Sequence, residues 1–118
     1  MVSQAVITMK TKKINLGKDF SDTPLGRVPT DGPFSGERFR KEFLVPALRD
    51  NDRVIVQLDD IEGCGSSFLD EAFGGLVRWE KITAKDLQEK LLIESKVPAH
   101  SLFSNIIWKY IKEAVPRT

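Results

Sequence analysis

Apolar and polar positions along the chain fall into segments of two different periods. Over residues 5–14, AVITMKTKKI, Val6, Thr8 and Lys10 alternate with Ile7, Met9 and Thr11. A period of two with β-branched side chains predicts a strand with one buried face. Residues 53–58, RVIVQL, form a short apolar run that stops at Asp59-Asp60, the pattern of a buried central strand ending in a polar loop. Residues 91–95, LLIES, predict another strand. Helical spacing appears in three longer segments. Phe39, Phe43, Leu44, Ala47 and Leu48 mark a helix over 36–49 that Ser35 can cap and that Pro46 is expected to kink or end. Phe68, Leu69, Ala72, Phe73, Leu76 and Val77 mark a helix over 67–80, with Asp70, Glu71 and Arg78 off the apolar stripe. Leu102, Phe103, Ile106, Ile107, Tyr110, Ile111 and Ala114 mark a helix over 101–114, closed by Pro116. A shorter helix over 84–90 follows Thr83, with Asp86 three residues on.

Residues 17–35, GKDFSDTPLGRVPTDGPFS, hold three prolines and three glycines and predict a long loop, the one stretch from which a further strand could come. Strands alternating with helices imply crossover connections. The expected fold is α/β: a small sheet of three to four strands, mostly parallel or mixed, with helices packed against it. A length of 118 residues suits a single domain over 1–118.

Charge changes this picture in one place. The net charge of +1 gives no global pull toward nucleic acid or a membrane surface. Residues 51–80, however, carry seven Asp/Glu against two Lys/Arg, so an acidic patch is expected there. Arg38, Arg40 and Lys41, with Lys10, Lys12 and Lys13, are basic but interleaved with acids, which favours an ordinary surface over a nucleic-acid face. No apolar run approaches the length of a membrane span, and the start Met-Val-Ser-Gln lacks the features of a signal peptide. With one cysteine, Cys64, no internal disulfide can form. A cytoplasmic location is expected.

Candidate chemistry concentrates in residues 58–79, LDDIEGCGSSFLDEAFGGLVRW. Gly63 and Gly65 allow a tight turn, and Ser67 stands three residues before Asp70 in a capping-box-like arrangement. Gly74-Gly75 in mid-helix lowers helix propensity by about 1 kcal/mol per glycine, which points to close backbone approach, to the sheet or to a partner. GCGSSF lacks the third glycine of a dinucleotide site, and no Gly-Lys-Ser/Thr follows. His100 is the only histidine, so no Ser-His-Asp, Cys-His or metal-ligand cluster is visible. No catalytic residue, metal or cofactor is expected. Trp79 and Trp108 are expected at the edge of the core; an exposed one becomes a contact anchor.

In PTDGPFSGERFRKEFLVPAL, in the strand VIVQLDD and in the block GCGSSFLDEAFGGLVR, the chain resembles the STAS-like domain family and its bacterial members. The likeness covers residues 17–80 in detail and, by element order, nearly the whole chain. It implies a fold related to anti-sigma factor antagonists. Those domains bind an ATPase-fold kinase and are released when a serine at a helix start is phosphorylated. Their Asp-Ser-Ser-Gly pattern corresponds here to Gly65-Ser66-Ser67-Phe68, with both serines kept and the flanking residues changed.

The resemblance implies a non-enzymatic regulatory module that docks a protein partner of the histidine-kinase superfamily through the 59–71 loop and helix start. Asp59, Asp60, Ser66, Ser67, Asp70 and Glu71 are the expected partner-binding residues, supported by Gly74 and Gly75. Ser67 or Ser66 is the expected phosphorylation site, against a plain N-cap reading of Ser67. Two alternatives stand beside this. One is a small enzyme with Cys64 or Ser66 as nucleophile under a lid formed by 17–35; a thiol just before a helix start can have a lowered pKa. The other is an oligomerisation module using helix 101–114.

Overall fold

A computed structural model describes residues 9–117. Three strands, β1 (Thr11–Asn15), β2 (Arg53–Gln57) and β3 (Leu91–Glu94), form a parallel sheet in the order β1-β2-β3. Ile14 pairs with Val56 and Val56 with Ile93, so one register row runs across the sheet. Of the strand expected over 5–14, residues 11–14 are in β1, where Ile14 alone is buried rather than every second residue; Met9 and Lys10 precede the strand, and positions 5–8 lie outside the described residues. Ile14, Val54, Val56 and Leu91 are buried on the helix side. Among the described residues, 17–35 adds no strand to the sheet.

Helix α1 runs over 36–50, opened by Ser35, whose Oγ accepts from the Arg38 N–H at 3.3 Å. Pro46 does not end it. A π-helical turn at Arg40–Leu44 comes just before, and Val45 N–H bonds back to the Arg40 carbonyl, five residues away. Proline lacks an N–H and its ring crowds the carbonyl four residues back; the wider turn absorbs both defects. Helix α2 runs over 66–78 with a π-helical turn at Asp70–Gly74. Helix α3 (Ala84–Lys90) is capped by Thr83, whose Oγ1 accepts from Asp86 N–H at 3.1 Å, and leads straight into β3. Helix α4 (Ser101–Glu113) packs Ile107 and Ile111 into the core.

The 17–35 stretch is a strap with its own anchors. It starts in a π-helical turn (Leu16–Phe20) and carries a 3-10 turn at Pro29–Asp31. Phe20 packs within 5.4 Å, centroid to centroid, of the rings of Phe34, Phe39 and Phe43. Backbone bonds tie Glu62 N–H to the Asp22 carbonyl (2.7 Å) and Gly65 N–H to the Pro24 carbonyl (3.3 Å). On its other side Gly36 and Glu37 donate to the carbonyls of Gly26 and Arg27, both at 2.9 Å. The strap therefore runs between the β2–α2 turn and the start of α1.

Candidate functional site

The turn leaving β2 is organised by its two aspartates. Asp60 Oδ2 accepts from Asn15 Nδ2 at the end of β1 (2.6 Å). Asp59 Oδ1 accepts from the Lys96 N–H (2.5 Å) and from Ser95 Oγ (3.2 Å) beyond β3. Each carboxylate thus pins the chain leaving one neighbouring strand. Asp60 stays exposed while Asp59 is half-buried. His100, distant in sequence, joins this group: its Nδ1 lies 3.0 Å from Ser95 Oγ. The hydroxyl sits between carboxylate and imidazole, so the order is not that of a nucleophile–base–acid triad.

After the turn, α2 begins differently from the sequence expectation. Gly65, extended at φ −71° and ψ 140°, is the N-cap, and it makes no side-chain bond. Ser67 is therefore not the cap; it lies inside the first turn. Three consecutive residues here suit a cap, and the backbone bonds that hold Gly65 to Pro24 select the first. Both serines are exposed. Ser66 Oγ shares a hydrogen bond of 2.6 Å with the Tyr110 hydroxyl of α4, whereas Ser67 makes no side-chain hydrogen bond to a described residue. Beside them opens a cleft of about 540 Å³ between the strap and α2, lined by Leu25, Gly26, Arg27, Asp31 and the 65–67 segment. Leu25, 63% exposed, forms its apolar wall.

One turn on, the acids turn inward. Asp70 is bonded by Arg27 Nη1 (2.7 Å) and Arg78 Nη2 (3.0 Å). Burial raises its pKa, but the hydrogen bonds from Arg27 and Arg78 outweigh that and hold the carboxyl below its ordinary value. Glu71 was expected on a solvated face and is instead 8% exposed. It meets Arg40, 2% exposed and expected on the surface: Arg40 Nη1 donates to Glu71 Oε2 (2.9 Å) and to the Glu71 carbonyl, and Nε donates to Glu80 (2.9 Å). Trp79 Nε1 donates to the same Glu71 oxygen at 3.0 Å, leaving an indole that is nearly half exposed. In the acidic patch expected over 51–80, Asp70, Glu71 and Glu80 are compensated by Arg27 and Arg40 from outside that segment, while Asp60 and Glu62 stay exposed on the turn.

Gly74 and Gly75 are buried as well, and their close neighbours belong neither to the sheet nor to an outside surface. A Cβ on Gly74 would stand 2.7 Å from Asp70 Oδ1 and 3.5 Å from the Tyr110 carbonyl. One on Gly75 would enter the Arg40 guanidinium, 3.0 Å from its Cζ. Cys64 is also turned away from reactivity: burial pushes its pKa up to about 12, opposite to the lowering that a helix start would bring.

The exposed members of the expected set are thus Asp60, Ser66 and Ser67, with Asp59 and Asp70 partly accessible. Leu25, Arg27 and Tyr110 join them without a local signal in the sequence. The first two sit in a segment with no periodicity, and Tyr110 reads as one more position of an apolar stripe.

Among the described residues, no helix is long and apolar enough to cross a membrane. No curated protein and no solved structure gives a significant match. The model of one family matches residues 35–98, more than half of the chain, from the cap of α1 through β2, the serine turn and β3. That span, with the parallel sheet and the helices around it, places the chain in the family described as a STAS-like domain of unknown function (DUF4325).

Proposed function

We propose that this protein is a cytoplasmic, non-enzymatic regulatory module, folded as one domain, that docks a protein partner through the β2–α2 turn, the first turn of α2 and the adjoining strap. The observation that carries this reading is the exposure of both serine hydroxyls beside an open cleft with Leu25 on its wall. A protruding apolar side chain ringed by Arg27, Asp31 and hydroxyls has the make-up of an interface centre with a polar rim. Asp59, Asp60 and Asp70 add charge recognition around it. The likeness to anti-sigma factor antagonists supports an ATPase-fold partner of the histidine-kinase superfamily.

Ser67 is the better switch of the two serines, because Ser66 is engaged by Tyr110. A phosphate on Ser67 would sit in the first turn of a helix, where the backbone favours negative charge, so modification would leave α2 intact. Its added charge would act on the partner, repelling an acidic surface.

Affinity capture with tagged protein, with and without ATP, tests this. Recovery of an ATPase-fold protein is expected, reduced about ten-fold by Ser67→Asp and by Leu25→Asp, the factor that corresponds to about 1.4 kcal/mol. Recovery on both variants equal to that on the unaltered protein would remove the turn from the interface.

A further inference from the structure

Tyr110 lies along one stripe of α2. Its carbonyl is 3.5 Å from the Cβ position of Gly74, and its hydroxyl is 2.6 Å from Ser66 Oγ, two turns earlier on the same helix. One residue of α4 therefore touches both the glycine over which the two helices approach and the first residue of the exposed turn. Elsewhere α4 packs Phe103, Ile106 and Trp108 partly buried against the core but stays exposed on its outer face. Ile107 and Ile111 are its only fully buried residues, its first turn has no side-chain cap, and Leu102 points outward. A terminal helix that is uncapped at its start and exposed along its outer face opens more readily than the central strand, so that one hydrogen bond shifts its exchange measurably.

We propose that the Ser66–Tyr110 hydroxyl pair is a latch, so that a docked partner that takes the Ser66 hydroxyl also loosens α4. The two hydroxyls share one short contact in which one donates and the other accepts. Coupling runs both ways: loosening α4 lowers the cost of engaging Ser66. The use of the latch rests on the docking reading above, whereas its existence is a property of the isolated chain and is tested there.

Hydrogen exchange read by mass spectrometry on the full chain separates the two. In Tyr110→Phe and in Ser66→Ala, amides of 101–113 are expected to exchange about five-fold faster, the factor that one net hydrogen bond supplies. The double variant should show no further gain, and β2 should be unchanged in all three. Unchanged exchange in α4, or equal acceleration across the whole chain, would overturn the latch. Neither result would bear on whether a partner docks at the turn.

Discussion

Replacing Arg40 by methionine is expected to cost about 3–5 kcal/mol, a large share of the about 5–15 kcal/mol that holds a domain of this kind together. Methionine keeps much of the packing volume over Gly75 but removes the charge. The Glu71 carboxylate would then stay buried with the Trp79 indole N–H as its side-chain hydrogen-bond donor and Arg27 Nη1 no nearer than 3.9 Å, and a poorly compensated buried charge is what makes one-sided deletions of such pairs severe. Removing both charges should be milder. Arg40→Met with Glu71→Leu is expected to recover most of the loss, since a hydrophobic pair of similar volume often matches a buried ion pair. Urea unfolding followed by circular dichroism reads both. A cost below about 1 kcal/mol for Arg40→Met would mean that this network contributes little to stability.

The second large effect is expected at a glycine that helix propensity alone would misjudge. Gly36→Ala should gain about 1 kcal/mol from propensity. The structure predicts the opposite sign. A Cβ there would stand 2.6 Å from the Phe68 carbonyl oxygen, 2.8 Å from Glu71 Cβ and 2.9 Å from the Ala72 nitrogen. Two of these are backbone atoms of α2, so the helices must separate, and overpacking of this kind costs about 1–3 kcal/mol. Separation would also strain the Arg40–Glu71 contact next to it. Gly63→Ala is the control, because nothing stands within 4 Å of its Cβ position. A neutral or stabilising Gly36→Ala would show that the close approach of α1 and α2 is softer than the structure describes.

The elements themselves were legible because periodicity reports on which face is buried. β2, β3 and the helices fall within a residue or two of the segments read from apolar spacing. At Pro46 the helix does not end, but its regularity is broken just before the proline, where a single wider turn removes the clash. Glu71 and Arg40 ran against expectation. A charged residue beside an apolar stripe reads as solvated unless its partner is known, and these two are 31 positions apart. The helix start at Ser66 followed from contacts with the strap, not from the capping preferences of Gly65, Ser66 and Ser67, which are too similar to choose among them. The strap kept its secret most completely. Phe20 and Phe34 anchor it without any repeat, so neither its course past the serines nor the exposure of Leu25 had a signature.

The docking claim is tested most directly by where a partner touches the chain. A photoreactive benzoylphenylalanine at position 67, irradiated in cell extract with ATP, is predicted to form an adduct with an ATPase-fold protein. The same group at position 85, exposed on α3, should form none. No adduct at 67, or the same adducts at both positions, would contradict the assignment of the serine turn as the recognition surface.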